Sequence, residues 1–284
     1  MRHRAERLTD PVAYHGEGPV WSERWGGLRW VDMLAGDVLS LAADGTIGRH
    51  HVGAIAAALR PRRGGGAVIA VERGFALEET DGTVTPLGEL WSDEGVRMNE
   101  GGCDPDGRFY GGSMAYDERP GAGEMYRLDG DGSVRVVLEG LTVSNGLDWS
   151  PDGSRAYYVD TAAQRVDLFD YERDAGLQRR RPFAEIPPEL GSPDGLTVDE
   201  AGGVWVALND GGAVRRHGPE GAVDAVVEVG ARKVTACAFG GARLDQLFIT
   251  TSREDLEPGD DPLAGSVFRA LVGVRGLPVR EFAG

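Results

Sequence analysis

What this chain lacks narrows its function before any motif is considered. Its 284 residues include two cysteines, Cys103 and Cys237, with no Cys-x-x-Cys pair and no Cys/His cluster. That leaves a disulfide scaffold and a thiolate zinc site unsupported and fits a reduced, cytoplasmic location. No apolar run approaches the roughly 18 residues needed to cross a bilayer. Met1–Arg7 has no apolar stretch behind it, so no secretory signal is expected. Positive charge is in deficit: 46 acidic residues face 30 basic ones, a formal charge of −16. This argues against nucleic acid or an anionic membrane as a partner, although ordinary solubility produces the same excess. Lysine is nearly absent, with Lys233 standing alone beside abundant arginine. Gly64-Gly65-Gly66 therefore lacks the lysine, and also the helix, of a phosphate-binding loop. Helical patterning is missing as well. The stretches at 54–60 and 189–190 are too short or too closely flanked by Gly and Pro.

Glycine, by contrast, is plentiful at 44 residues, with 15 prolines, and its spacing is informative. Glu17, Asn99, Asn145 and Asp194 each precede a turn glycine (Gly26, Gly107, Gly153 and Gly202) by eight or nine residues. A strand-like run follows each glycine, as in Leu28–Asp32, Phe109–Gly112, Ala156–Asp160 and Val204–Ala207. Two further anchors fall near positions 57 and 236, phased by Gly65 and Gly240-Gly241. Spacings of 82 (two units of about 41), 46 and 49 residues, with several short strands per unit, point to propeller blades. Asp-Gly pairs such as Asp81-Gly82 and Asp131-Gly132 punctuate hairpins. Six units fill the chain, so the expectation is all-β: a six-bladed β-propeller, one domain over residues 1–284, with a central metal site. Segments near Ser266–Leu271 and Pro278–Phe282 are expected to complete one blade with an N-terminal strand near Arg4–Leu8, closing the ring.

Taken singly, the anchors have plain readings. Glu17 in Gly16-Glu17-Gly18-Pro19 reads as an exposed turn acid, Asn145-Gly146 as a turn dipeptide, and Pro193-Asp194-Gly195 as one more turn. Their shared register outweighs those readings, because equivalent positions in a closed cyclic repeat converge near its axis. Two acids and two amides there form an oxygen-rich cage suited to a hard divalent cation. The other two anchors, in Ala56–Ala58 and Thr235–Cys237, are small or apolar and predict an apolar side to the pore. Arg97, two residues before an anchor, serves either to bind a substrate oxygen or to partner one of the ligands. Tyr14 and His15 are placed at the entrance, and Cys103 in packing.

At these motifs the chain resembles the SMP-30/gluconolactonase/luciferin-regenerating-enzyme family, which includes regucalcin. The matching stretches are GEGPVW (16–21), VRMNEGGCDPDGRFYGGSM (96–114), GAGEMYRLDGDGSV (121–134), LTVSNGLDWSPDGSRAYYVDT (141–161), SPDGLTVDEAGGVWVA (192–207) and TACAFGGARLDQLFIT (235–250). The resemblance implies a six-bladed propeller with one divalent cation on its axis, Ca2+ or Zn2+ first, Mg2+ or Mn2+ as alternatives. It implies Glu17, Asn145 and Asp194 as metal ligands, with Arg97 and Asn99 as substrate contacts. In related phosphotriesterase-like propellers the equivalent of Asn99 binds metal directly. Glu100 stands where the family usually has Asp, and Tyr116 where some members carry an acidic substrate contact. Both are therefore assigned to the substrate side.

The expected chemistry is hydrolysis of a sugar-acid lactone such as gluconolactone. The cation polarises the carbonyl and activates a water, and Asp194 is the general base. The partner is thus a small-molecule lactone, with the protein a monomer or a weak homo-oligomer. Phosphotriester hydrolysis on the same scaffold and a non-catalytic calcium- or ligand-binding propeller are the alternatives, since propellers host many functions.

Overall fold

A computed structural model describes residues 1–284. Twenty-five strands build six sheets, antiparallel but for one pairing, with four three-residue 3-10 turns. Each sheet is a blade whose strands run outward in sequence order, except that N-terminal strands form the outer edge of two blades. The inner strands are Gly16–Ser22, Ala56–Pro61, Val96–Cys103, Ser144–Trp149, Ser192–Val198 and Val234–Gly240, numbered here as blades one to six. Each inner strand packs on those of the two adjacent blades, and blade six returns to blade one, so the ring is closed. No helix is long and apolar enough to cross a membrane.

The turn glycines sit at the hairpin between inner and second strands for a conformational reason. Gly107, Gly153 and Gly202 have φ of 83°, 72° and 81°. That left-handed region disfavours residues with a Cβ. Three residues before each stands a side-chain cap. Asp104 accepts the N–H groups of Asp106 and Arg108, Ser150 that of Arg155, and Asp199 those of Ala201 and Gly203. The turn glycines, with caps at the same spacing in blades three, four and five, are the source of the repeat in the sequence. Between blades the core is aromatic and aliphatic. Trp21 of blade one stacks on Phe248 of blade six with ring centroids 5.6 Å apart. Trp205 of blade five meets Phe239 of blade six edge-on at 5.8 Å. Both are arrangements that aromatic quadrupoles favour.

Ring closure differs from the expectation in two ways. Residues Glu6–Arg7 do complete blade six, pairing with Phe268–Leu271. Just upstream, however, Arg2–Arg4 adds to blade five, parallel to Val223–Glu228, so the N-terminus fastens two blades. The segment 278–282 is not a strand of the last blade. Pro278 and the glycines on either side of this tail favour an irregular path, and the chain crosses the floor of the ring. There it touches every blade. Glu200 N–H donates to Arg275 O (2.9 Å), Gly276 N–H to Leu244 O (2.8 Å), Phe282 N–H to Pro61 O (2.8 Å) and Ala283 N–H to Gly107 O (2.8 Å). Arg280 reaches Ser150 O at 3.0 Å, and Glu281 pairs with Arg24. Phe282, 2% exposed, is the apolar rivet of this strap.

Phe282→Ala removes that rivet and leaves a cavity, so it should cost about 3–5 kcal/mol of stability, the usual range for truncating a buried Phe. Urea denaturation of the two proteins measures it.

Candidate functional site

Every inner strand slips register at its anchor. The pairing jumps between Glu17 and Val20, Ala56 and Ala58, Met98 and Glu100, Ser144 and Leu147, Pro193 and Leu196, and Val234 and Cys237. A β-bulge of this kind leaves residues unpaired and re-aims their side chains. Six bulges at one level turn the anchors toward the axis. The residue after the anchor must then be small where neighbouring bulges meet. A Cβ on Gly146 would lie 2.5 Å from Leu196 N, and one on Gly195 would lie 2.8 Å from the Cα of Ala236.

The polar anchors gather at a cavity of about 230 Å³ that includes Glu17, Arg97, Asn99, Asn145 and Asp194 in its walls. All five are buried. Asn145 donates through Nδ2 to Thr161 Oγ1 (2.9 Å), and Thr161 in turn donates to Pro193 O (2.8 Å). Asn209 Nδ2 donates to Asp194 Oδ2 (3.0 Å). This leaves Asn145 Oδ1 and Asp194 Oδ1 buried without a partner. Glu17 accepts from Gly18 N–H at 3.1 Å, while its other oxygen faces His15 Nε2 at 3.8 Å. Buried oxygen acceptors that nothing satisfies are costly and call for a cation or a donor. Asn99 is different. Its Oδ1 accepts from Arg97 at 2.7 Å and its Nδ2 donates to Ser144 O at 2.9 Å, so both ends are engaged.

The electrostatics are strained in one direction. Burial pushes the Glu17 carboxyl well above its usual range, and the charges of Asp194 and Glu100 add to this. Burial likewise raises Asp194 from 3.8 to about 8, opposed by its bond from Asn209 and reinforced by Glu100 and Glu254. Glu100 is raised by burial and held back by Arg60. The Arg97 guanidinium is lowered by burial and supported by Glu254.

The remaining expected residues fall in different places. Glu100 is outside the cavity wall. In the blades of Glu17, Asn145 and Asp194 the residue after the anchor is glycine, but in blade three it is Glu100. Its carboxylate lies below the cage, 3.9 Å from where a Cβ on Gly18 would be. Tyr116 sits on the rim, half exposed, with its hydroxyl donating to Glu72 at 2.8 Å and Arg97 5.5 Å above its ring. His15 lies deeper than expected, 6% exposed in the cavity wall, with Nδ1 2.7 Å from Ser252 Oγ and 3.1 Å from Glu254. Tyr14 points away from that cavity, at 45% exposure. No apolar side to the cavity exists, since Met114 and Val143 are the only apolar residues in its wall. Ala57 and Ala236 are buried instead, and Ala236 is small because Gly195 packs on it. Thr161, Asn209 and Glu254 escaped the sequence reading, for their positions carry no repeat signal. Cys103 is buried in the core.

The comparisons with known proteins agree on one family. Residues 15–253 match the model of the SMP-30/gluconolactonase/LRE-like region. Regucalcin of Gallus gallus is 35% identical over 283 residues, covering 95% of each chain. Pentonolactonase of Haloferax volcanii is 33% identical over 283 residues, covering 96% of each. Among solved structures, a calcium-binding protein, regucalcin, from Agrobacterium tumefaciens superposes with a TM-score of 0.94 at 28% identity, covering 100% of this chain and 99% of that one. The chain belongs to the SMP-30/gluconolactonase/LRE-like family.

Asp194→Asn removes a carboxylate whose charge is uncompensated in the metal-free protein. The penalty is absent below about pH 4 and complete above about pH 8, because the group's pKa rises from 3.8 to about 8 on folding. The variant should therefore melt higher than the parent after chelator treatment, by roughly 2–4 °C per kcal/mol relieved. The gap should widen as pH rises through that window, which thermal melts across it will show.

Proposed function

We propose that this family member hydrolyses a sugar-acid lactone with one divalent cation held by Glu17, Asn145 and Asp194. The observation that carries the reading is the pair of buried, unpartnered oxygens Asn145 Oδ1 and Asp194 Oδ1 beside the Glu17 carboxylate. An all-oxygen donor set fits a hard cation. Ca2+ suits it best and is supported by the description of the Agrobacterium relative; Zn2+, Mg2+ and Mn2+ are the alternatives. The name of the Haloferax relative supports a lactone as substrate. A cation bound there supplies Lewis acidity, polarising an ester carbonyl and acidifying a nearby water.

The chain's own groups do the rest. Thr161 and Asn209 fix the rotamers of Asn145 and Asp194. Asp194 takes a proton from the attacking water as its oxygen bonds to the carbonyl carbon. The ring C–O bond breaks and the proton passes to the departing ring oxygen, so one water is consumed and a hydroxy acid is formed. Arg97, anchored through Asn99, keeps its buried Nε–H unpartnered and offers donors to substrate oxygens. Because Asn99 Oδ1 is already taken by Arg97, Asn99 acts on the substrate side. With the polar cavity wall, this weighs against a phosphotriesterase-like site. Glu100 adds negative charge beneath the cage, and Tyr116 orients Arg97 from the rim. A second reading, a calcium-binding propeller without turnover, draws on the description of the Agrobacterium relative.

Hydrolysis of glucono-, galactono-, arabino- and xylono-lactones, followed with a pH indicator after chelation and metal add-back, tests the proposal. Metal-restored turnover of one or two lactones is expected, and silence with cation binding intact would move the protein to the second reading. Asp194→Asn should lower kcat by about 10²–10⁴-fold, the range for loss of a general base. Thr161→Val, which frees Asn145 to turn, should weaken cation binding by about 10–100-fold in calorimetry.

A further inference from the structure

Thirty basic residues are all arginine but one, and that one, Lys233, lies in the wall of the cavity that holds Glu17, Asn145 and Asp194. It stands immediately before the inner strand Val234–Gly240 of blade six, half-buried. Its carbonyl accepts from Ser252 N–H at 3.0 Å, which fixes the backbone. Its ammonium has no carboxylate within 4.0 Å and no hydrogen-bond partner, although acids share the cavity wall. Two of those acids are paired elsewhere: Glu254 faces His15 at 3.1 Å, and Asp210 pairs with Arg232 at 3.0 Å. The charge of Lys233 is felt at Glu254, but its ammonium bonds to none of the wall's carboxylates.

The ring order sets what faces it. In a six-bladed ring blade three stands across the axis from blade six, so Arg97 and Lys233 approach the cavity from opposite walls. Arg97 also keeps an unpartnered donor, its buried Nε–H. Between them lie the blades that carry Glu17, Asn145 and Asp194. Residue chemistry explains why this position is lysine in an arginine-rich chain. A guanidinium is a planar fork that clamps carboxylates. An ammonium is a compact charge on a flexible stem with three rotatable donors, free to follow hydroxyl oxygens.

We infer that Lys233 is a substrate-binding residue whose ammonium donates to a hydroxyl oxygen of the lactone, holding the polyol from the wall opposite Arg97. The inference rests on the proposed lactone hydrolysis and deepens it by naming a residue that recognises the sugar's hydroxyl groups rather than its ester.

Lys233→Met should raise KM for glucono-1,5-lactone roughly tenfold or more, the scale of a lost hydrogen bond from a charged donor, with kcat within about twofold. Cation affinity by calorimetry should not move, nor should the kinetics on δ-valerolactone, which has no hydroxyls. A second measurement needs no turnover. Lys233 and the N-terminus are the only amines, so acetylation with an N-hydroxysuccinimide ester, read by peptide mass spectrometry, reports Lys233 against an internal control. Excess gluconate in the presence of Ca2+ should slow acetylation of Lys233 and leave the N-terminus unchanged. Unchanged KM in the variant, together with equal acetylation rates with and without gluconate, overturns the assignment and leaves the hydrolase reading standing. Protection of Lys233 in a protein that opens no lactone keeps the contact and removes the hydrolase reading.

Discussion

The structure depends on a single constraint, the stacking of six β-bulges at one level around a closed ring. A regular inner strand would send successive side chains to the two faces of its blade, into the packing between blades. The bulge breaks that alternation for one or two residues and turns them to the axis. The local sequence follows from this. Glycine after the anchor at 146 and 195 lets the next blade's bulge come within van der Waals contact, and alanine at 236 completes the fit. The polar anchors are therefore held by backbone geometry on four strands rather than by loops, which gives a site its precision.

Such convergence has an electrostatic consequence. Glu17 and Asp194 are raised by burial and by neighbouring carboxylates, Glu100 among them, and Arg97 and Lys233 are the basic side chains in the cavity wall. A divalent cation would offset this concentration of negative charge. Without it the axis is a strained element, and the ring must be held by contacts elsewhere. The two ends of the chain supply them. Arg2–Arg4 and Glu6–Arg7 fasten blades five and six, and the C-terminal strap bonds to all six blades from below. The strap also crosses the far end of the axis, where Leu277–Arg280 help line a cavity of about 80 Å³.

Much of this was legible because it repeats. Turn glycines and anchors recur once per blade, so a single sequence reveals them together, including the small anchors at Ala57 and Ala236. What occurs once was not legible. The parallel pairing of Arg2–Arg4 with blade five has no counterpart elsewhere in the ring, and Pro278–Phe282 has a strand-like composition but bonds to several blades in turn. Thr161, Asn209 and Glu254 act on the anchors through single side-chain contacts, which leave no periodic trace. Glu100 is assigned to the substrate side by the family's Asp at that position, and its depth relative to Asn99 has no signal in the sequence. The bulge places neighbouring residues at different depths, one in the mouth and the next beneath the cage.

The ring also divides labour among its blades, and the division explains why four polar anchors suffice. Blades one, four and five carry the three groups proposed to hold a cation, so those ligands approach from two opposite walls and one flank. Blade two, across from Asp194, contributes Ala57, whose small side chain is buried and leaves the axis clear. Blades three and six face each other with Arg97 and Lys233, the cationic pair on the cavity's opposite walls. A ligand seated over the acids is then gripped along the direction that the proposed cation ligands leave free. The six-fold backbone makes the positions equivalent; the side chains break that equivalence, setting Arg97 and Lys233 opposite each other in a wall that also carries six carboxylates, so that a ligand meets donors from two sides and acceptors from the rest.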